Sequence, residues 1–153
     1  MTYQEIDFIT PIIDFVKTCP FLKTEDKISS MAFNPEMILQ GNTLAYTGTP
    51  KPIWAQDVLG DVFVTKQANF ILYVRRFSKD EVSRKEIAKF LPNFEAWVEH
   101  ENIFGTPPKF GNKDYRERIW ADNGMFLEVT ENKDITDYMI QIHIDYQILY
   151  KDE

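Results

Sequence analysis

The strongest constraint on the fold of this chain is an alternating pattern near its C-terminal end. From residue 136 to residue 151, large apolar side chains occupy every second position: Tyr138, Ile140, Ile142, Ile144, Tyr146, Ile148 and Tyr150. The positions between them are mostly polar. Because successive side chains of a strand point to opposite faces, this period of two predicts one long β-strand with an apolar face and a wetter face. At ~3.3 Å per residue it would span about 45 Å, so it either backs a large sheet or reaches a neighbouring subunit.

Composition narrows the class of protein. The 153 residues, 44% of them hydrophobic, have the size of one globular domain spanning residues 1–153. The net charge of −7 argues against DNA binding as a purpose, because phosphate contacts need clustered Lys and Arg. The single Cys19 suits a reducing cytoplasm. Short apolar runs and a polar N-terminus lead us to expect neither a membrane span nor a signal peptide.

Two amphipathic helices are predicted. Thr2 and Glu5 can form a capping box for the first, in which Pro11 predicts a kink or a restart. Ser78 and Glu81 form a second capping box, and the helix that follows carries a buried stripe. That stripe consists of Ile87, Phe90, Leu91, Phe94, Trp97 and Val98. Pro92 should kink or split this helix.

Strands are predicted between and after the helices, at residues 28–33, 43–47, 53–58 and 62–77. Leu59-Gly60-Asp61 would turn the last two into a hairpin. The 62–77 strand is apolar on both faces, so it should be covered on both. One face of this strand can be covered by a helix. The other face can be covered equally well by a second helix of this chain or by a neighbouring subunit.

The C-terminal half is predicted to be a meander of three antiparallel strands. Asn123-Gly124 is a strong two-residue hairpin signal, and it lies between the apolar segments 118–121 and 125–130. The order of helix, strands, helix, strands then predicts an α+β fold. Its sheet would be mostly antiparallel, with two main helices packed on one face.

No catalytic, metal or cofactor site is predicted. His100 and His143 have no histidine or cysteine close in sequence, so we expect ordinary hydrogen-bonded or surface histidines. Asp134, Asp137 and Asp145 could surround a cation, but a solvated face explains them better. No glycine-rich phosphate loop is present. We therefore expect that the protein is not an enzyme.

Four segments in a fixed order, following an amphipathic N-terminal helix, carry a resemblance to a known family. They are Asp57-Val58-Leu59-Gly60, Phe70-Ile71-Leu72-Tyr73-Val74-Arg75, Phe94-Glu95-Ala96-Trp97-Val98 and the alternating residues 137–146. This order resembles the tail terminator (tail completion) proteins of tailed bacteriophages and prophages of Gram-positive bacteria, some of which are labelled minor capsid proteins.

The resemblance implies a structural virion protein. Such proteins have a small sheet with helices on one face, and they assemble as a hexameric ring that caps the tail tube. The ring stops polymerisation of the tube and offers a docking surface for the neck. The implied partners are further copies of the chain, the tube protein and the neck connector, with the sheath protein as another candidate. DNA would meet the ring only in passage. Assembly in the bacterial cytoplasm and a place at the head-proximal end of the tail are implied as well.

Two sets of candidate contact residues follow from this picture. Loops rich in Gly, Pro and aromatics are the candidates for contacts between rings. Their residues are Thr49, Lys51, Ile53, Trp54, Leu59, Asp61, Phe104, Lys109, Phe110 and Lys113. The two-sided apolar strand is the candidate for contacts between subunits, through Phe70, Ile71, Tyr73 and Arg75.

Three other functions remain open from the sequence. One is a neck connector or a tube subunit, which would be structural as well. Another is a small-ligand-binding α+β domain with a pocket between sheet and helices, and the third is an enzyme.

Overall fold

The computed structural model describes residues 7, 9–22, 28–29, 41–77, 85–86, 88–111, 114–129 and 135–151. Two helices and six strands lie in these ranges. The helices are α1 (Ile9–Lys17) and α2 (Phe90–Phe104). The strands are β1 (Ile28–Ser29), β2 (Gly41–Gly48), β3 (Ile53–Gln56), β4 (Val62–Phe77), β5 (Arg118–Val129) and β6 (Ile135–Tyr150).

All six strands form one sheet with the order β1-β2-β4-β6-β5, and β3 pairs with β4 beyond the end of β2. Of the pairs formed by the described strands, β1–β2 is parallel and the others are antiparallel. The predicted α+β fold with a mostly antiparallel sheet is therefore confirmed.

The predicted C-terminal strand is confirmed as β6. It pairs with β4 over the full 16 residues of both strands, from Tyr150 opposite Val62 to Ile135 opposite Phe77. The length of β6 is thus used inside the chain, where it backs a large sheet.

The core lies on one face of this sheet, under both helices. Alternate residues of β6 are buried there: Tyr138, Ile140, Ile142, Ile144 and Tyr146. They lie beside the buried residues Ala68, Phe70, Leu72 and Val74 of β4. The helices add Ile12, Phe15, Val16, Phe94 and Val98 to the same cluster. The rings of Phe15 and Trp97 lie 4.9 Å apart, so the helices also contact each other.

Each of the two helices carries a proline in its first turn. Helix α1 runs without a break through Pro11, which falls in its first turn. The Asp7 carboxylate accepts hydrogen bonds from the N–H groups of Ile9 (3.0 Å) and Thr10 (3.1 Å), which would otherwise have no partner. The helix predicted to begin near Thr2 lies outside the described residues, so the restart predicted at Pro11 stays a prediction.

Helix α2 begins at Phe90 and carries Pro92 in its first turn. Lys89, just before it, keeps helical dihedral angles, and its N–H donates to the Lys85 carbonyl (3.2 Å), so the described residues show no sharp break at this point. Both predicted capping boxes, Thr2 with Glu5 and Ser78 with Glu81, lie outside the described residues.

The hairpin predicted at Asn123-Gly124 is wrong. Both flanking segments belong to β5, and both pair with β6. Asp122 lies opposite Gln141 and Met125 opposite Met139, so two residues of β5 face a single residue of β6. This is a β-bulge, in which Asn123 takes a left-handed φ of 53°. The left-handed conformation that Asn favours is part of a bulge here and not of a hairpin turn, because β6 is long enough to pair with β5 on both sides of Asn123.

We predict that Ile142→Asp or Ile144→Asp prevents folding. Both side chains have no exposed surface, and an unpaired carboxylate there would cost several kcal/mol, comparable with the total stability of a domain. Thermal melts followed by circular dichroism measure the effect. Ile53→Asp is the matched control, because the same change at a side chain that is 70% exposed should leave the melt nearly unchanged.

Candidate functional site

The most exposed apolar feature of the described residues is the hairpin of β3 and β4. Ile53 is 70% exposed and Trp54 69%, and in the turn Val58 is fully exposed and Leu59 77%. Among the described strands, β3 pairs with β4 alone, beyond the end of β2. Exposed apolar residues grouped in this way are typical of an interaction surface.

The turn of this hairpin is held by its own hydrogen bonds. The Asp57 carboxylate accepts from the N–H groups of Leu59 (2.9 Å) and Asp61 (3.0 Å). The Asp57 N–H donates to the Asp61 carbonyl (3.0 Å), and Gln56 Nε2 donates to the Gly60 carbonyl (3.2 Å). Gly60 takes a φ of 90°, which suits glycine. The turn therefore presents apolar side chains in a fixed shape, which lowers the entropy cost of binding.

The loop after α2 packs against the same end of the sheet. The Phe110 ring meets the Tyr146 ring edge-on at 5.7 Å. A Cβ added to Gly111 would lie 2.2 Å from the Gln147 carbonyl oxygen, so the loop backbone runs directly against β6. Burial raises the pKa of Tyr146 to about 12, so its hydroxyl keeps its proton.

Glu117 ties this loop together. Its carboxylate is buried and accepts the N–H groups of Phe110 (2.9 Å) and Gly111 (3.0 Å). Burial raises the pKa of Glu117, although the two backbone hydrogen bonds and the nearby Lys109 oppose that shift. Lys109 Nζ also donates to the Tyr115 carbonyl (2.6 Å), so the loop is ordered by its own contacts.

The structure brings most of the predicted contact residues to one end of the sheet, where β4 begins and β6 ends. Thr49 and Lys51 are exposed between β2 and β3, and Phe104 is exposed at the end of α2. Ile53 and Trp54 lie in β3, which corrects their assignment to a loop. Leu59 and Asp61 are turn residues, and Lys109 and Phe110 belong to the loop against β6. Lys113 lies outside the described residues.

The subunit contact predicted through β4 needs correction. Strand β4 is central, because β2 and β3 pair with one edge and β6 with the other. Phe70 is buried under the helices, and Arg75 is buried on the opposite face. Ile71 and Tyr73, on that opposite face, are half-buried. Neither edge of β4 is free for a second subunit, so Phe70 and Arg75 do not form such a surface.

Arg75 instead pairs with Asp137 of β6. Its Nε and Nη2 atoms each donate to one carboxylate oxygen at 2.6 Å. Both residues are buried, and they lie directly opposite each other in the β4–β6 pair. A forked pair of this kind fixes the relative position of two strands as well as neutralising two charges.

A second exposed apolar segment was missed from the sequence. Met125, Phe126 and Leu127 follow the bulge in β5, and all three are substantially exposed. In the predicted meander this segment lies between two partner strands, so the sequence did not indicate that it lies at the edge of the sheet. Three consecutive apolar residues after Asn-Gly were the available signal, since a half-buried strand would alternate.

The face of the sheet opposite the helices carries a polar network around His143. Its Nε2 lies 2.8 Å from an Asp122 carboxylate oxygen, and its Nδ1 contacts the Asn69 side-chain oxygen. The Trp120 ring stacks on the imidazole at 5.3 Å. Both ring nitrogens thus have partners, as expected for a hydrogen-bonded histidine. Within the described ranges, no three His, Cys, Asp or Glu residues are grouped so that they could hold a metal ion.

The chain matches no protein-family model and no curated protein. Neither helix of the described residues combines the length and the apolar character needed to cross a membrane.

We predict that Asp137→Ala destabilises the fold by about 3–5 kcal/mol, because it removes the carboxylate that accepts two hydrogen bonds from the buried Arg75 guanidinium. Urea denaturation measures the loss. The double variant Arg75→Met/Asp137→Leu should recover much of it, since it replaces both charges of this buried pair with apolar side chains. A single variant as stable as the wild type would show that the pair is solvated.

We predict that Glu117→Gln reduces the pH dependence of stability. A raised pKa in the folded state means that the folded chain binds this proton more tightly than the unfolded chain. The wild type should therefore lose free energy of unfolding as pH rises from the ordinary carboxyl pKa of about 4.3 through the raised value. The Gln variant keeps an acceptor for the loop N–H groups and should lose less over that range. Denaturant titrations at several pH values measure both slopes, and equal slopes would contradict the prediction.

Proposed function

We propose that this protein caps the end of a phage or phage-like tail tube as a ring, which stops tube polymerisation and offers a docking surface to the neck. The order of sequence segments supports this proposal through the resemblance described above. The observation that carries it is the β3–β4 hairpin, whose exposed Val58 and Leu59 sit on a turn fixed by its own hydrogen bonds. A rigid apolar tip suits a protein whose task is to dock.

A terminator must differ from the tube in one physical respect. Each tube ring presents a fresh copy of its own docking surface, so growth continues until a non-identical ring covers that surface. A capping ring therefore needs one face that matches the tube and another that does not. The hairpin and the loop after α2, gathered at one end of the sheet, suit one such face.

The charge of the chain agrees with this role. DNA passes the head-proximal end of a tail, and a strongly basic lumen would hold its phosphates. A net charge of −7 favours release.

We predict that host cells assembling particles without this protein make tails of uncontrolled length that fail to join heads. Nothing would cover the last tube ring, so subunits would continue to add. Electron microscopy of negatively stained lysates measures tail lengths and the fraction of tails with heads. Tails of normal length that still join heads would refute the terminator role and leave the connector and ligand-binding alternatives.

A variant of the tip sharpens this experiment. Val58→Asp/Leu59→Asp places two charges where the hairpin would dock, and both side chains are exposed, so the fold should be retained. Supplied from a plasmid to cells that lack the gene, it should fail to restore tail length. Phe21→Asp is the control, because Phe21 is also an exposed apolar residue but belongs to the turn after α1 and not to the hairpin. Full restoration by the tip variant would show that the hairpin does not dock.

A further inference from the structure

The bulge in β5 holds two residues whose chemistry the capping role does not use. Asn123 is the only asparagine of the chain that is followed by a glycine. Asn123 and Gly124 are both exposed, and neither has a partner residue in the β5–β6 register. The residue that a bulge adds to a strand stays outside the hydrogen-bonded ladder. The structure therefore presents this dipeptide to water, without the pairing that holds the strand on either side of it.

An asparagine side chain can react with the main chain that follows it. The backbone nitrogen of the next residue can reach the side-chain carbonyl carbon, and the bond between them closes a succinimide ring. A Cβ on the next residue hinders this approach and restricts the backbone, whereas glycine has no Cβ and adopts more conformations than other residues. Asn123-Gly124 is therefore the asparagine position of this chain with the lowest steric barrier to ring closure.

The other asparagines in the described ranges are protected in comparison. Asn42 is buried, and the side-chain oxygens of Asn69 and Asn102 accept hydrogen bonds inside the fold. Asn93 is exposed, but it lies within helix α2 and precedes the buried Phe94. Each of these four is followed by a β-branched or aromatic residue, which hinders attack by the backbone nitrogen. Reaction in the folded chain should therefore be confined to the bulge.

The surroundings of the bulge lower the cost of the rotation that ring closure needs. The Asn123 side chain is restrained by an exposed hydrogen bond from its Nδ2 to Gln141 Oε1 (3.2 Å), which water can replace. Among the described strands β5 pairs with β6 alone, and Met125, Phe126 and Leu127 after the bulge are exposed. Local opening costs least where few buried contacts hold a segment. This segment can therefore open while the β4–β6 pair stays intact.

We propose that Asn123-Gly124 is a site of spontaneous covalent modification in the folded protein. The Gly124 nitrogen bonds to the side-chain carbonyl carbon of Asn123, its proton passes to the leaving –NH₂ group, and ammonia departs. A water molecule then adds to either carbonyl of the succinimide and opens the ring. One opening gives aspartate with the normal main chain. The other gives isoaspartate, in which the main chain runs through the side-chain CH₂.

The isoaspartate product should alter the bulge more than the aspartate product does. Both place a carboxylate beside Asp122 and remove the N–H group that donates to Gln141. Only isoaspartate lengthens the main chain, by one carbon. Because the number of main-chain units in the bulge sets which way Met125 and Phe126 point, the extra carbon should loosen this segment. The edge-on contact of the Phe126 and Tyr138 rings, 5.8 Å apart, should be lost with it.

The experiment incubates the folded full chain in mildly alkaline buffer and follows it by peptide mass spectrometry. Replacement of –NH₂ by –OH gives a small mass gain, which fragment ions assign to one residue. Gly124→Ala is the matched control, because it keeps Asn123 and adds only the hindering methyl group. Its Cβ would lie 3.4 Å or more from the nearest atoms of Leu91 and Ile140, so the fold should be retained, which circular dichroism checks. A second wild-type sample is incubated in urea.

We expect the mass gain at Asn123 of the folded wild type, as two products that chromatography separates, and the loss of most of it in Gly124→Ala. The other asparagines in the described ranges should keep their amides. Hydrogen exchange of the isoaspartate product should be faster than that of the unmodified chain in residues 125–129 and unchanged along β4.

Three results would overturn the inference. They are an Asn123 that stays unmodified in the folded chain, a Gly124→Ala variant that reacts as fast as the wild type, and an isoaspartate product that exchanges like the unmodified chain. Reaction in urea alone belongs to the first result, because it would show that the bulge protects the dipeptide. None of these results bears on tail length in cells that lack the gene, so this inference and the capping role can fail separately.

Discussion

The full-length pairing of β4 with β6 is the constraint on which the rest of the structure depends. Sixteen residues of each strand lie opposite one another, so the alternation in β6 fixes which residues of β4 point to the helices. The buried pair of Arg75 and Asp137 holds the register near one end. A slip by one residue would turn every core side chain to the wrong face. Both helices pack on this central pair, β2 and β3 pair with β4, and β5 pairs with β6.

Much of the fold could be predicted because its main signals are local and periodic. Each signal can be read from neighbouring residues of one segment. Examples are the period of two in β6, the apolar stripe of α2 and the effect of Pro92 on the start of that helix. Asn123-Gly124 misled the prediction because the same local conformation, a left-handed Asn, serves both a hairpin and a bulge. Which of the two forms depends on the partner strand, and β6 is long enough to continue past it. That information lies in another part of the chain.

The candidate surface could be predicted only in part. Gly, Pro and aromatic composition indicated the region of Thr49 to Trp54 and the Gly60 turn, and both lie at the exposed end of the sheet. The sheet order decides which strand is central and which lies at an edge, and this order cannot be read from one strand. The two apolar faces of β4 are compatible both with a strand enclosed by its own chain and with a strand that contacts a neighbouring subunit. The pair of Arg75 with Asp137, 62 residues apart, likewise has no local signal.

The bulge in β5 also decides which way its outer segment points. Before it, Trp120 and Asp122 face the polar side together with His143 and Gln141; after it, Met125 faces that side and Phe126 faces the helices. The extra residue thus exchanges odd and even positions for Met125 and Phe126, and a second register shift between Phe126 and Glu128 exchanges them back. A natural variant lacking one residue at the first bulge would keep every downstream amino acid of β5 and yet turn Met125 towards the helices and Phe126 towards the polar side. Insertions and deletions, which surface loops tolerate readily, should therefore be rare at this point in related chains.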